Sequence, residues 1–436
     1  MKPIYILAPL MLALSIACLG QTEPRSVPVA DPAAIRLSVD EAVAAALGSY
    51  PKIRAVVRRL SLAQMKINTA RGLDDPMLMV RDWGTPLKQP WDMNQAQTMF
   101  MLQQSFQSKQ KRDQRASLAE DDAGIAAIEL QTLRQEVAAQ TRQLCDGLLR
   151  NADEMRLLER QRILLKDALA VALAQYSIGK APQSDVLRAQ MALTRLKEHL
   201  IELEEERDNT RAQLNTLMSR PSGEAIEVTG SYAIPETLPA IEELERTAIE
   251  HRPELAVLRT EVAKSRDEGT LTRLAMRPDF TVGLGYMLMP TGSSSRNAYM
   301  VELSMNLPWL NRERHDGEAK QADAATNVSQ AELDERTSSV FLEIRQAQIV
   351  VLAAEKRVKL YRDTLLPEAE ASFNASTAAY QNNRAVFMSL IDAQNILLDI
   401  QTAYYEAMAA TDVGMAQLER AIGTPISNAT NRNTKR

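Results

Sequence analysis

An internal repeat constrains the fold of this chain more than any other feature of its sequence. Ordered landmarks of the first half recur in the second half at a shift of 202 to 204 positions: Pro51 and Pro253, Pro76 and Pro278, Tyr176 and Tyr380, Ala189-Gln190 and Ala393-Gln394, Gln213-Leu214 and Gln417-Leu418. Landmarks in the same order at a nearly constant shift indicate duplication of one structural unit. We therefore predict a first repeat at 39–219 and a second at 241–423, joined by a linker at 220–240.

Each repeat is predicted to contain the same elements in the same order. In the first repeat these are a helix at 39–75, strands at 77–83 and 99–106, a very long helix at 107–177 and a last helix at 184–219. In the second repeat the corresponding segments are 241–277, 279–287, 298–307, 313–381 and 389–422. The short segments alternate in hydrophobicity around loops rich in Gly, Pro, Ser and Asn, which is typical of strand hairpins.

The long helical segments carry a heptad pattern. In the first, Leu130, Val137 and Leu144 recur every seven residues, and this spacing favours helices that pack as a coiled coil. At about 1.5 Å per residue the long helix is on the order of 100 Å, and the two shorter helices of a repeat together reach about the same length. We therefore predict a mainly α-helical chain with a small β part, in which antiparallel helices form a rod with hairpins at one end and helical turns at the other.

Composition and motifs argue against several kinds of function. The chain has 51 basic and 56 acidic residues and a net charge of −5, without the basic face that nucleic acid requires. Two cysteines exclude a disulfide framework, and the three histidines, at 199, 251 and 315, lie far apart in the sequence. We find no phosphate-binding loop, dinucleotide fingerprint or His/Cys metal spacing. We expect no enzymatic activity, no cofactor and no resident metal, so the energy for any transport comes from a partner.

The N-terminus is typical of an export signal. Residues 1–20 combine Lys2 with an apolar stretch, residues 21–38 form a linker, and residues 424–436 form a C-terminal tail. No later segment reaches the roughly 18 apolar residues of a transmembrane helix. Cys18 follows the small residue Ala17, which suits lipoprotein processing and acylation of Cys18. Ordinary cleavage near Gly20 is the alternative.

The strand lengths suggest an outer-membrane barrel. Each predicted strand has about the length of a tilted transmembrane strand, but four strands cannot close a barrel, and open sheet edges are not tolerated in lipid. The smallest such barrels have about eight strands, which leaves almost no pore. We therefore predict a homotrimer with a 12-stranded transmembrane β-barrel in outer-membrane lipid, above a helical tunnel in the periplasm. The alternative is a soluble hairpin that caps a scaffold or adhesin rod without a pore.

Two stretches, 176–190 and 380–394, resemble the TolC family of outer-membrane efflux proteins, and the resemblance extends over about 38–423. Pro76 and Pro278 before the strands, and Pro367 ahead of Tyr380, fit the same family. The resemblance implies a trimeric duct that docks on a periplasmic adaptor protein and an inner-membrane RND-type pump. It leaves open whether the cargo is small solutes, metal ions or, in a type I system, secreted proteins.

The second half, from Arg252 to Trp309, is similar to the heavy-metal branch of that family. Nine methionines lie around the hairpins: Met77, Met79, Met99, Met101, Met276, Met287, Met289, Met300 and Met305. Thioether sulfur is a soft metal ligand, but methionine also fills packed or lipid-facing apolar sites. Metal export therefore stays a hypothesis about the cargo.

The same resemblance implies a gate at the helical turns. Asp185, Tyr380 and Asp392 match gate positions of the family, and Arg384 lies one place before the matching basic position. A ring of symmetry-related aspartates in a narrow mouth would attract cations, and we expect Asp392 to form it. Two alternatives remain: Ser389 and Asp392 could form a capping box, and Asp185 could only stabilise a helix N-terminus.

The turns themselves are candidate docking sites for the adaptor. Gly179 and the pair Asn382 and Asn383 suit tight turns between antiparallel helices. Turning the chain is compatible with docking. Pro367 lies within a helical pattern and predicts a kink there.

Overall fold

The computed structural model describes residues 35–83, 97–230, 238–289, 297–382 and 384–426. The predicted signal peptide with Cys18, the predicted turn residue Asn383 and most of the predicted C-terminal tail lie outside the described residues. Within these ranges, no helix combines the length and the apolar character that crossing a membrane requires.

The two halves of the chain contain similar series of elements. The first half comprises β1 (Ile35–Ser38), α1 (Val39–Ser49), α2 (Pro51–Arg71), β2 (Met77–Trp83), β3 (Gln97–Phe106), α3 (Lys109–Ser177), α4 (Gln183–Leu217) and β4 (Ile226–Thr229). The second half comprises α5 (Ile241–His251), α6 (Pro253–Leu274), β5 (Phe280–Leu288), β6 (Asn297–Met305), a 3-10 turn (Pro308–Asn311), α7 (Arg312–Leu360), a π-helical turn (Tyr361–Leu365), α8 (Leu366–Gln381) and α9 (Phe387–Ile422).

The first predicted helix of each repeat is in fact two helices, so the continuous helices 39–75 and 241–277 are wrong. Tyr50 has φ −60° and ψ 120°, and Arg252 has φ −73° and ψ 120°. Each precedes a proline, whose ring clashes with a helical conformation at the residue before it. Pro51 and Pro253 then start the next helix, where the missing N–H is not needed.

The predicted long helix at 313–381 is also interrupted, whereas α3 runs unbroken for 69 residues. The π-helical turn Tyr361–Leu365 joins α7 to α8, and Pro367 follows at the start of α8. Proline removes one helical hydrogen bond and crowds the carbonyl four residues earlier. A wider turn just before it relieves that crowding, so the break expected at Pro367 takes the form of a π-helical turn.

The predicted linkers 21–38 and 220–240 each contain a strand that sequence analysis missed. β1 and β4 pair in parallel, with Ile35 opposite Ile226 and Ser38 opposite Thr229. Each strand has four residues, too short for a recognisable alternation. Their pairing joins positions that lie far apart in the sequence, which local patterns do not report.

The two hairpins combine into one antiparallel sheet with strand order β2-β3-β5-β6. β3 and β5 are the central pair, so the hairpins of the two repeats lie side by side. β2 and β6 are the outer strands of the sheet that one chain forms.

One face of this sheet is aliphatic and aromatic, and it is open to the surroundings. Two cross-strand rows on it are Leu78, Leu102, Leu284, Val301 and Val80, Phe100, Tyr286, Tyr299. Exposure reaches 67% at Leu78, 75% at Val301 and 83% at Tyr299. A water-soluble hairpin cap would turn such a face onto the helices, so this arrangement favours contact with lipid.

A buried lysine holds the sheet to the helical part. Lys111, in the first turn of α3, has only 7% of its side chain exposed, and its Nζ lies 2.9 Å from both carboxylate oxygens of Asp279. Nζ also donates to the Arg277 carbonyl at 2.7 Å. These bonds connect the first turn of one long helix to the residues just before β5.

Side chains at heptad spacing form the core of the helical part. Val137, Leu158 and Leu165 of α3 are buried, as the seven-residue pattern predicts. Cys145 is fully buried in the same helix, and this burial raises the pKa of its thiol to about 12.

Arg252 is a buried cation at the junction between α5 and α6. Its guanidinium donates to the Ala421 carbonyl at 3.2 Å, to Glu254 at 3.1 Å and to Glu343. Arg336 pairs with the same Glu343 carboxylate at 3.0 Å. Partial burial raises the pKa of Glu343, but the two guanidinium groups outweigh it and hold the pKa below its ordinary value.

Candidate functional site

The helical turns at 176–190 and 380–394 share one backbone hydrogen bond, from an N–H to the carbonyl five residues earlier. In the first, the N–H of Gly179 bonds to the Tyr176 carbonyl at 3.0 Å and that of Lys180 to the Gln175 carbonyl at 2.9 Å. This is a Schellman ending, which requires a left-handed residue, and Gly179 has φ +72°. In the second, the N–H of Arg384 bonds to the Ala379 carbonyl at 2.8 Å. Lys180 and Arg384 thus occupy equivalent places in the two turns.

Tyr380 lies at the centre of this end of the molecule. It is only 4% exposed, and its ring packs edge-on against Phe387 with the centroids 5.3 Å apart. Its hydroxyl is buried and has no hydrogen-bond partner within the described residues. Burial raises the pKa of Tyr380, and the nearby negative charge of Asp185 raises it further. A buried hydroxyl without an acceptor is costly, so it marks a place where another group is expected to approach.

Asp185 is the acidic neighbour of that hydroxyl. It is half-buried in the first turn of α4, where a carboxylate is favoured by the partial positive charge of the helix N-terminus. The structure therefore brings Asp185 and Tyr380 together. A gate role and a helix-stabilising role are both compatible with this position, and the gate role stays a prediction.

Asp392 lies on a different surface, and its proposed capping role is wrong. α9 begins at Phe387 rather than at 389, with Val386 as the N-cap and no side-chain cap bond. Ser389 is therefore inside the first turn and cannot be the cap. The helix starts early because Phe387 is buried against Tyr380, which anchors the chain in helical conformation two residues before the serine. Asp392 is exposed within the helix.

Asp392 lines an open cleft between α4 and α9 with a volume of about 280 Å³. Arg188, Arg195 and His199 line the same cleft, and sequence analysis missed them. They lie seven and then four residues apart on α4, so helical periodicity could have placed them on one face. The cleft thus carries both signs of charge, and Asp392 faces it together with two guanidinium groups rather than alone.

Arg384 and Asn382 lie at the tip of the second turn. Both are exposed, and the Asn382 side chain donates to the Ala378 carbonyl at 2.8 Å, which closes the end of α8. Arg384 is not part of the pair formed by Tyr380 and Asp185. Exposed apolar side chains surround the turns, with Ile178 at 64% and Val386 at 68%. The tips therefore combine a basic charge with apolar surface.

The described part of the chain offers no group of three or more His, Cys, Asp or Glu side chains that could hold a metal ion. The candidate site is a polar and aromatic contact region between helix ends, in which Tyr380 contacts Phe387 and lies near the charge of Asp185.

Comparisons with known proteins agree with this architecture. Residues 244–424 match the family described as outer membrane efflux protein. The cobalt-zinc-cadmium resistance protein CzcC of Cupriavidus metallidurans is 22% identical over 391 residues, which cover 89% of this chain and 90% of CzcC. The proteases secretion protein PrtF of Dickeya chrysanthemi is 23% identical over 266 residues, 58% of this chain and 54% of PrtF.

Among solved structures, a crystal structure of CusC, described for its transmembrane channel formation, superposes with a TM-score of 0.74 at 12% identity. The superposition covers 89% of this chain and 92% of CusC. The repeated helical hairpins, the four-stranded sheet and these matches lead to one conclusion: residues 244–424 form an outer membrane efflux protein domain, and the chain has the fold of the CusC channel.

Proposed function

We propose that three copies of this chain form an outer-membrane channel, which serves as the passive exit duct of a tripartite efflux pump. The observation that carries the proposal is the sheet β2-β3-β5-β6, with two outer strands and one exposed apolar face. Membrane strands must be paired on both sides because lipid offers no hydrogen bonds. β6 and β2 run antiparallel within the sheet, so β6 of one copy suits β2 of the next.

The helical part supports assembly of several copies. Large apolar side chains are exposed along the rod, with Leu342 at 58%, Ile349 at 57% and Ile201 at 57%. An isolated rod in water would present these to solvent over its whole length, whereas a tunnel wall shared by neighbouring copies covers them. Three copies give twelve strands and a lumen wide enough for a duct.

The transport energy comes from partners. We propose a periplasmic adaptor protein that docks on the helical tips, and an inner-membrane RND-type pump behind it. The exposed apolar residues Ile178 and Val386, beside the basic Lys180 and Arg384, suit a partner helix hairpin with apolar and acidic residues at its own tip.

We propose that the duct is closed at these turns when no adaptor protein is docked on it. Tyr380 and Asp185 from one chain would meet the adjacent chain there, and Asp392 would contribute to the charge of the mouth. Planar-bilayer recording tests both parts, because a closed entrance limits conductance and charges in a narrow mouth determine ion selectivity.

The decisive comparison uses Asp392→Asn with Asp399→Asn as the matched control. Asp399 is exposed on α9 seven residues further from the turn, about 10 Å along the helix at 1.5 Å per residue. We expect channels in all samples, with reduced cation selectivity in Asp392→Asn only. The absence of channels from detergent-extracted protein would contradict the duct, and unchanged selectivity would contradict the role of Asp392.

A second candidate cargo is secreted protein. It is favoured by the similarity to PrtF, whose description names protease secretion, while the similarity to CzcC, a metal resistance protein by its description, extends over more of the chain. Deleting the gene separates the two: loss of metal or solute tolerance supports efflux, and loss of a secreted protein from the medium supports secretion.

A further inference from the structure

Equivalent positions of the two repeats carry opposite charges beside the helical turns. Arg188 is the sixth residue of α4, and Asp392 is the sixth residue of α9. The two positions are 204 residues apart (392 − 188 = 204), which is the shift that also relates Tyr176 to Tyr380. The duplicated unit therefore carries a guanidinium group in its first copy where it carries a carboxylate in its second.

The burial of the following residues shows that both helices present these positions in the same way. Ala189 follows Arg188 and Ala393 follows Asp392, and the two alanines are buried, with 0% and 6% of their surface exposed. Arg188 and Asp392 themselves are exposed. Because a helix turns by about 100° per residue, a buried alanine directly after each charged residue places the two charged side chains on corresponding sides of their helices.

Both charged groups line the cleft between α4 and α9 whose volume is about 280 Å³. Arg188 belongs to its α4 wall and Asp392 to its α9 wall. In the part of a single chain that the structure describes, neither side chain has a hydrogen bond or an ion pair. The two charges therefore act on the space that they line rather than on each other.

Helix stability does not account for a cation near the start of α4. The N-terminal end of a helix carries partial positive charge, which favours Asp and Glu over Lys and Arg. Asp185, in the first turn of α4, follows this rule. Arg188 lies one turn further on, where the effect has faded and offers a cation no gain. Its exposed position also excludes a packing role in the core, so its charge needs another explanation.

We propose that Arg188 is a selectivity-determining residue of the entrance, where it offsets the charge of Asp392. The inference deepens the proposed function and rests on it, because it takes from it the position of Asp392 in the mouth of a three-chain duct. Six helices surround such a mouth, with α4 and α9 in alternation. Three guanidinium groups then alternate with three carboxylates at one level, so the ring has no net charge. Anionic and zwitterionic solutes pass such a ring without the barrier that aspartates alone would impose.

The same reversal of charge occurs a second time, at Arg195 of α4 and Asp399 of α9 (399 − 195 = 204). This second level lies seven residues further from the turns, which is about 10 Å at 1.5 Å per residue. A duct that is closed at its turns is narrowest beside them. The level of Arg188 and Asp392 therefore dominates the selectivity.

Exchanging the two charges tests the alternating ring. Reversal potentials in planar bilayers under a salt gradient compare the parent with Arg188→Asp, with Asp392→Arg and with the double variant that carries both substitutions. Lys197→Asp is the control, because it changes the charge by the same amount as Arg188→Asp. Lys197 is exposed on α4 and does not line the cleft. It lies nine residues after Arg188, or two and a half turns at about 3.6 residues per turn, and so on the opposite side of the helix.

We expect Arg188→Asp to raise the ratio of cation to anion permeability by about threefold or more at about 0.1 M salt, and Asp392→Arg to lower it by a similar factor. Both shifts should shrink at about 1 M salt, where the screening length falls from about 10 Å to about 3 Å. The double variant should return to the parent ratio, because its ring again contains three charges of each sign. The Lys197→Asp control should have the selectivity of the parent.

A double variant that keeps the selectivity of either single variant would overturn the alternating ring, and so would an equal shift in Lys197→Asp. The same recordings separate this inference from the proposed function. A shift in Asp392→Arg without one in Arg188→Asp leaves Asp392 in the mouth and rejects only the role of Arg188. A parent protein that forms no channels rejects the duct, and the ring with it.

Discussion

Replacing Tyr380 with phenylalanine tests the entrance most sharply, because it removes one buried oxygen and almost nothing else. The hydroxyl is buried without a partner in the described part of a single chain, and Asp185 lies close enough to raise its pKa. If the entrance closes between chains, this hydroxyl donates to an acceptor from the adjacent chain or to Asp185 reoriented by it. Tyr380→Phe then removes a bond that exists only in the closed trimer.

The expected size of the effect follows from the number of copies. A hydrogen bond to a charged group contributes about 1.5–3 kcal/mol, so three symmetry-related bonds contribute roughly 4.5–9 kcal/mol to the closed state. About 5.5 kcal/mol is enough to move a two-state equilibrium from 1:99 to 99:1. Tyr380→Phe should therefore convert a mostly closed channel into a mostly open one.

Single-channel recording in planar bilayers provides the assay, with Tyr176→Phe as the control. Tyr176 is the equivalent residue of the first repeat, but it is 46% exposed, so its substitution should leave conductance unchanged. The reasoning is refuted if Tyr380→Phe conducts like the parent and unfolds at a higher temperature. That combination is what removal of a hydroxyl that stays unpaired in the trimer would produce.

Three further predictions concern the helical part. Gly179→Ala places a side chain at φ +72° with no other atom within 4 Å, so backbone strain alone should destabilise the fold by about 1 kcal/mol. Gly317→Ala, in open space within α7, should instead stabilise the fold by about 0.5–1 kcal/mol. Thermal unfolding followed by circular dichroism measures both changes. Arg252→Met should destabilise the fold by about 2 kcal/mol. This is less than the loss of one partner of a fully buried ion pair would cost, because the side chains of Glu254 and Glu343 are 34% and 38% exposed. Folding lowers the pKa of Glu343 below its ordinary value of 4.5, so its ion pairs stabilise the fold above that pH, and this stability is lost as the pH falls through the folded-state pKa. The acid-dependent loss of stability should therefore be smaller in Arg252→Met. Equal acid denaturation curves for the parent and this variant would contradict the ion-pair account. Cys145, whose pKa burial raises to about 12, should resist iodoacetamide at about pH 8 until the protein is unfolded, because only the thiolate reacts; mass spectrometry reports the modification.

Much of the fold follows from local sequence rules. The prolines that precede the strands, the heptad spacing and the repeated landmarks predict the order of elements, because each acts within a few residues of its position. Two other prolines, Pro51 and Pro253, explain the breaks at Tyr50 and Arg252. Predicting these breaks required only that the residue before each proline be taken as extended. The pair β1 and β4 could not be predicted in this way, since each strand is stabilised by a partner about 190 positions away.

The candidate site was less predictable. The resemblance to the family predicts a gate role for Asp185 and Tyr380, and this role stays a prediction. The unpaired hydroxyl of Tyr380 depends on packing against Phe387, which no spacing in the sequence reports. The same contact shifts the start of α9 and removes the capping alternative for Asp392. Alternation places Met77 and Met79 on one face of β2, and Met99 and Met101 on one face of β3. That these methionines share a face with Met287 and Met300 depends on the register of the four strands.

The central claim is that three chains close one sheet, and cysteine cross-linking between β2 and β6 measures it directly. Val80→Cys in β2 is combined in turn with Tyr299→Cys, Val301→Cys or Leu303→Cys in β6, in a Cys145→Ala background. Three partners are needed because the register between chains is a property of the trimer. Directly opposed residues of neighbouring antiparallel strands have Cβ atoms about 4.5–5.5 Å apart, so a small shift brings them to the roughly 3.5–4.5 Å that a disulfide spans. After oxidation of outer membranes, we predict for at least one pair a ladder of one, two and three linked chains that stops at three. Monomers alone for all three pairs, or a ladder that stops at two, would contradict the account.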